Sequence, residues 1–325
     1  MALGLPEVEV GVWTSDNAPT GCTVILPPEG TLGALAVAGW SPGTREAAAL
    51  GPFGKVSVCH AVVLSGGSAF GLATADGVVR WLEEHDRGYE TRVARVPIVG
   101  GAIVLDASIA FPGERPDADA GYAACEAATT DDPPEGAVGA GTGTKVAGVA
   151  GLEHAWRGGQ GLAVRRHEDV VVGALVVNNA VGEIRDDDGT WIARARVTDD
   201  SPRYPYDRSF FEDDGTDAAA EDGPSENTVI GCIVTNARLT KLEAYKVADL
   251  AGAGIARAVW PAHTYFDGDA LFCLATQQVE THIDLVTAMA ADAVAEACRR
   301  GPQHAVDLSG LPDPFRELPG LASRA

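Results

Sequence analysis

Short apolar runs and turn residues alternate along the chain, and the spacing of the apolar positions changes from one stretch to the next. VEVGVW (8–13), GCTVIL (21–26) and LGALAVAGW (32–40) read as short strands separated by turns. His60–Leu64 is an unbroken apolar run ending in Ser65-Gly66-Gly67, the pattern of a buried strand entering a turn. From Ser68 to His85 the period lengthens: Leu72, Ala75, Val79 and Leu82 recur at helical spacing. Pro116–Ala128 reads as a helix of small residues, and Gly161–Arg165 and Val170–Asn178 as strands joined by a turn at His167–Glu168. Asn227–Thr235 predicts a buried strand, Leu239–Val259 a helix, Ala270–Thr276 a strand, and Ile283–Arg300 a last helix stopped by Gly301-Pro302. No repeat is evident. Interleaved strands and helices indicate a mixed α/β class, read as a single domain over residues 1–325.

Charge narrows the set of functions. Forty-six Asp and Glu against 24 Lys and Arg give a formal charge of −22, which argues against nucleic-acid or anionic-membrane partners, since both need basic patches. The acidity is uneven. Asp186–Glu226 holds 13 acidic and four basic residues with DDDG, EDDG and EDGP punctuation, and is expected to form an exposed, mobile loop. No apolar run approaches the ~20 residues that span a bilayer. The opening MALGLPEVEVGVW has neither a basic n-region nor a continuous h-region, so a cytoplasmic location is expected. Six scattered cysteines without a C-x-x-C pair read as buried, reduced thiols. Seven histidines form no H-E-x-x-H and no Cys/His cluster, so neither a metal nor a cofactor is expected.

Several short motifs have both a chemical and a plain reading. Gly139-Ala140-Gly141-Thr142-Gly143-Thr144-Lys145 suggests a phosphate loop, but Thr144 stands where a P-loop needs glycine, and a tight turn competes. Ser65-Gly66-Gly67-Ser68 resembles a nucleophile elbow until Phe70 breaks the spacing; it reads as a strand-to-helix turn whose N–H groups could face a ligand. Asp267-Gly268-Asp269 is either a turn or a pair of carboxylates orienting a cation or an amine. Asn179, at a strand end, is either a turn residue or an amide donor beside a reacting carbonyl. Asn227-Thr228 is the junction of most chemical interest. If the bond before Thr228 were cut, that residue would carry a nucleophilic hydroxyl and an α-amine with a pKa near 7.7–8.0, suited to a general base.

Taken in order, these motifs resemble those of peptidase family S58, which includes L-aminopeptidase/D-esterases, β-peptidyl aminopeptidases and nylon-oligomer hydrolases. The resemblance runs through Thr20–Val24, Ser41–Glu46, Val63–Leu72, Gly141–Lys145, Asn179–Gly182, Asn227-Thr228, Leu239–Lys241, and His263-Thr264 ahead of Asp267–Asp269. It implies an αββα sandwich of the Ntn-hydrolase-like kind, shared with ornithine acetyltransferases. It also implies a precursor that cuts itself at Asn227–Thr228 into chains of residues 1–227 and 228–325, which assemble as a homotetramer of αβ protomers. Thr228 would be the nucleophile, with Asn179 donating to the oxyanion. Lys145 would keep the Thr228 amine neutral, and Asp267 and Asp269 would hold both in place. Ser65, Gly66, Gly67 and Leu105 would contact substrate; Leu105 stands where several relatives carry Tyr. Substrates would be small peptides, amino-acid amides or 6-aminohexanoate oligomers, with a lean toward the last from Thr235-Asn236 and the Thr nucleophile. Three rivals are an acyltransferase of related fold, a non-enzymatic binding protein, and a phosphate-binding protein using Gly139–Lys145, which the spacing and the −22 charge disfavour.

Overall fold

The computed structural model describes residues 1–110, 113–196, 227–307 and 318–324. Two five-stranded sheets form its centre. The first takes β1 (Glu9–Thr14), β2 (Gly21–Leu26), β4 (Thr44–Arg45), β5 (Ala61–Ser65) and β6 (Val99–Ile103) in the order β1-β2-β5-β6-β4. The second takes β3 (Leu32–Val37), β7 (Gly159–His167), β8 (Val170–Asn179), β11 (Thr228–Ala237) and β12 (Ala270–Val279) in the order β7-β8-β11-β12-β3. In each sheet the first two pairings are antiparallel, the third is parallel, and the last is antiparallel.

Helices cover both outer faces. α1 (Thr74–Glu84) and α2 (Ala118–Glu126) pack on the first sheet, and α3 (Lys241–Ala258) and α4 (Ile283–His304) on the second. Three buried layers result. Val24, Val63, Val78 and Ala124 fill the first, between the outer helices and their sheet. Ile25, Leu64, Leu175, Ile230, Cys232 and Phe272 fill the second, between the sheets. Val172, Ile233, Ile255 and Val294 fill the third. This is the expected αββα sandwich. Period-2 alternation along β11 sends Ile230 and Cys232 to the inter-sheet layer and Val229 and Ile233 toward the helices. Each half also runs hairpin, strand, helix, parallel strand, helix, a duplicated topology that the sequence does not show.

Differences from the expected elements have local causes. The helix expected from Ser68 begins as a 3-10 turn over Ser68–Ala73, because Gly67 at φ +82° and Ser68 at φ +54° turn the chain left-handed first. The last helix passes its expected stop and runs to His304, with Pro302 inside it. Pro302 has no N–H for the carbonyl of Cys298, and that carbonyl accepts from Asn178 Nδ2 instead, at 2.8 Å. Leu239-Thr240-Lys241 opens α3: Thr240 and Glu243 form a reciprocal capping box, and Lys241 Nζ donates to the carbonyls of Ala49 and Val56.

The acidic segment does not start as a loop. β9 (Glu183–Arg185) and β10 (Trp191–Ala193) pair across a turn, and Arg299 grips Asp187 through both guanidinium nitrogens at 2.6 and 3.0 Å. Arg299 and Arg257 together hold the Asp187 carboxyl down at about 2. The remainder of that segment, residues 197–226, lies outside the described residues. No helix among the described residues is long and apolar enough to cross a membrane.

Candidate active site

Strand register brings the principal candidates together. Thr228 opens β11 and pairs directly with Asn179, the last residue of β8. Opposed residues of an antiparallel pair share a face. Thr228 has the parity of Ile230 and Asn179 that of Val177, so both belong to the inter-sheet face. The short strand Lys145–Val146 adds Lys145, and the turn before β12 adds Asp267 and Asp269. All five are buried; Thr228 is 5% exposed, Lys145 6% and Asp267 3%.

Each side chain is held at a definite atom. Thr228 Oγ lies 2.5 Å from the carbonyl oxygen of Asn227, and the Gly268 N–H donates to the same oxygen at 3.0 Å. Lys145 Nζ donates to Asn227 Oδ1 at 3.1 Å. Asn179 Oδ1 accepts from the Lys145 N–H at 3.0 Å, and Asn179 Nδ2 donates to the carbonyl of Leu105 at 3.1 Å. Asp269 Oδ1 accepts from the Val229 N–H at 2.6 Å, which fixes the residue after Thr228. Asp267 Oδ2 accepts from the Thr264 N–H at 2.6 Å, while its Oδ1 is buried with no hydrogen-bond partner among the described residues.

Burial sets the electrostatics. Desolvation lowers the Lys145 ammonium to about 8, against the pull of Asp267. Desolvation, reinforced by the charge of Asp269, raises the Asp267 carboxyl to about 6. The site therefore holds an acid and a base whose ordinary values, 3.8 and 10.5, have moved toward neutrality. Burial pushes the thiols the other way, Cys59 to about 11 and Cys273 to about 12, leaving them inert as nucleophiles.

The glycine-rich motifs frame this site from within. The amides of Gly139, Ala140, Gly141, Thr142, Thr144 and Lys145 all donate inside the protein, so this loop has no row of N–H groups for a phosphate. At the strand-to-helix turn, Gly66 donates to the Gly21 carbonyl and Gly67 to Asp106 Oδ1, while Ser65 Oγ donates to the Gly66 carbonyl. Backbone N–H groups of Gly66 and Gly67 are thus committed within the fold. Asp106 also accepts from Thr20 and Ser108, and its neighbour Leu105 meets the site through its carbonyl, on Asn179.

Three features at the site had no role assigned from sequence. Gly268 is one: a Cβ there would stand 2.6 Å from the Ser41 carbonyl and 3.1 Å from Thr228 Oγ. An exposed aromatic pair, Trp40 and Tyr265, is another, with ring centroids 5.6 Å apart beside the Asp267 turn. The third is His263. Its Nδ1 lies 2.6 Å from Asp269 Oδ2 and its Nε2 3.2 Å from the Gly252 carbonyl, so both ring nitrogens face acceptors. The hydrogen bond to Asp269 raises its pKa above 6.5. In sequence the histidine appears only in the His263-Thr264 match ahead of Asp267, with no role attached. A histidine with a raised folded pKa stabilises fully below about 6.5 and loses that contribution as pH rises through the folded value. The melting temperature should therefore fall as pH climbs above 6.5, and His263→Asn should flatten that slope in a calorimetric pH series.

The chain is similar to known proteins over most of its length. The model of peptidase family S58 matches residues 4–312. An uncharacterized aminopeptidase of Mycobacterium bovis is 38% identical over 320 residues, covering 92% of this chain and 90% of that protein. A 6-aminohexanoate-oligomer endohydrolase of Agromyces sp. is 33% identical over 280 residues, covering 85% of this chain and 74% of that protein. Among solved structures, a Burkholderia sp. beta-aminopeptidase aligns with TM-score 0.69 at 21% identity, over 98% of this chain and 90% of its own. The L-aminopeptidase D-Ala-esterase/amidase of Ochrobactrum anthropi, described as a variant of the Ntn hydrolase fold, aligns with TM-score 0.69 at 19% identity, over 97% and 88%. With the αββα layers and the buried site between the sheets, these matches identify the chain as a member of peptidase family S58, a hydrolase of amide or peptide bonds.

Proposed function

We propose that the chain is a self-processing N-terminal-nucleophile amidase in which Thr228 is the nucleophile. The observation that carries this reading is the 2.5 Å hydrogen bond from Thr228 Oγ to the carbonyl oxygen of Asn227, which keeps the hydroxyl beside the peptide bond it would cut. In maturation, Thr228 Oγ attacks the Asn227 carbonyl carbon and gives up its proton. The tetrahedral intermediate expels the Thr228 nitrogen, which takes a proton and becomes an amine, leaving an ester on Oγ. Water hydrolyses that ester, releasing the Asn227 carboxylate and restoring the hydroxyl. Before cleavage no α-amine exists to act as base, so Lys145, lowered to about 8, or a water assists.

The mature enzyme repeats the chemistry on a substrate amide. The Thr228 amine accepts the hydroxyl proton and returns it to the leaving amine. Lys145, as a neighbouring cation, disfavours protonation of that amine and keeps it basic. Asp267 balances Lys145, and Asp269 holds the strand through Val229. The Asn179 amide, fixed by Lys145 N and Leu105 O, supplies the oxyanion donor through its second N–H. Substrates are small amides with a free amino end, and 6-aminohexanoate oligomers fit the relatives of that activity. The apolar rim of Trp40 and Tyr265 supports a substrate with an aliphatic chain. The mature αβ protomers are proposed to act in the cytoplasm as a homotetramer.

Intact mass analysis tests the reading directly. Purified protein should resolve into chains of 227 and 98 residues, the smaller beginning at Thr228 on N-terminal sequencing. It should then release 6-aminohexanoate units or free amino acids from the matching amides. One intact 33.5 kDa chain after prolonged incubation would overturn self-processing.

A further inference from the structure

We propose that the backbone N–H of Gly268 is the oxyanion donor of the self-cleavage step. The inference rests on the reading of Asn227–Thr228 as a bond that the chain cuts. Among the described contacts, the nucleophile's own hydroxyl at 2.5 Å and the Gly268 N–H at 3.0 Å both donate to the Asn227 carbonyl oxygen. The hydroxyl cannot stabilise the intermediate, because its proton must leave as the Oγ–C bond forms. The Gly268 N–H remains aimed at the oxygen on which negative charge develops, as electrostatic stabilisation requires. The Asn179 amide accepts from Lys145 N and donates one N–H to Leu105 O, and its second N–H, assigned above to the substrate oxyanion, makes no described bond to the Asn227 carbonyl oxygen.

The turn is built to present this N–H. Asp267 and Asn227 form a parallel bridge that lays the two segments side by side. The Asp267 carbonyl is anchored by the N–H groups of Trp40 at 2.8 Å and Ser41 at 3.0 Å, which fixes the peptide plane carrying the Gly268 N–H. Glycine is required because any Cβ would meet Ser41 O at 2.6 Å and crowd Thr228 Oγ at 3.1 Å, pushing donor and nucleophile apart. As Oγ bonds to the Asn227 carbon, its proton passes to the assisting Lys145 or water, and the carbonyl π pair moves to oxygen and is held by Gly268 N–H; the pair returns as the C–N bond breaks and the Thr228 nitrogen takes that proton.

An amide-to-ester exchange in the full-length chain removes this one donor. Cell-free translation with glycolic acid at position 268 replaces the N–H by oxygen and adds no side chain. Single-turnover self-cleavage, followed by intact mass, should slow by roughly 10²–10³-fold, the usual effect of losing one oxyanion donor. Glycolic acid at position 39, whose N–H donates to the Asp269 carbonyl at 3.0 Å, should leave the rate within a few fold of the parent. If the parent itself stays intact, the self-processing reading falls. If the parent cuts and the 268 ester cuts equally fast, the Gly268 assignment falls while self-processing stands. Equal slowing by both esters would also overturn it, because the loop's hydrogen bonds in general, and not this donor, would then control the rate.

Discussion

Thr228→Ala should leave a single 325-residue chain that never separates into two, and any residual amidase activity should be lower by at least about 10⁴-fold. The effect is large because one atom serves twice: Thr228 Oγ is the nucleophile of maturation and of turnover, and without maturation the α-amine base never forms. The folded state should hardly notice. The one hydrogen bond described for Thr228 Oγ runs to its own preceding carbonyl, and such a bond is worth about 1 kcal/mol. The strand itself is secured by its pairing with β8 and by the Val229–Asp269 bond, neither of which uses the hydroxyl. Intact mass and a melting curve on the same sample separate the two effects. Thr228→Ser retains hydroxyl and amine and should still cut itself. Two fragments from Thr228→Ala would remove Thr228 from the nucleophile's place.

The elements were legible in the sequence wherever one periodicity dominated. Val170–Asn178 and Ala270–Thr276 are apolar on both faces because each strand lies between the opposite sheet and a helix layer. Boundaries were lost where a distant side chain decided them. Gly301-Pro302 reads as a stop, but Asn178, on another element, takes the carbonyl that Pro302 leaves unpaired. The duplicated topology was invisible because a fold constrains which positions are apolar and not which residues fill them. Within the site, each motif taken alone favoured its plain reading, and only their order along the chain pointed to Thr228, Lys145, Asn179, Asp267 and Asp269 together; the pairing of Asn179 with Thr228 comes from strand register, which no local pattern shows. His263 and Gly268 stayed hidden for a different reason. Each acts through contacts made only after the turn folds, a ring between two acceptors and a backbone N–H on a carbonyl, and neither has a side-chain pattern that announces it.

Asp267→Asn should cost roughly 10²-fold or more in turnover while stabilising the fold at alkaline pH. Asp267 is buried, its Oδ1 has no hydrogen-bond partner among the described residues, and Asp269 adds repulsion, so its carboxyl is raised from 3.8 to about 6. A carboxyl raised in the folded state favours the protonated form. Its stabilisation is complete below about pH 4 and is lost as pH rises through about 6. Ionising it at neutral pH therefore costs up to roughly 3 kcal/mol, at 1.36 kcal/mol per pKa unit. An asparagine carries no charge, can still accept from the Thr264 N–H, and escapes that cost, so its melting advantage over the parent should widen between pH 4 and 7 and then level off. Activity should move the opposite way. The Asp267 carboxylate raises the Lys145 pKa against burial, and Lys145 reaches only about 8 even with that help. Without the carboxylate that offset to the burial of the ammonium is lost, and Lys145 sheds its proton at lower pH. The parent's pH profile should rise with a limb near 6 and fall with a limb near 8. In Asp267→Asn the acid limb should vanish and the alkaline limb should move down. An unchanged acid limb would assign it to another group. His263 is the next in reach, since it faces Asp269 and its charge also acts on Asp267.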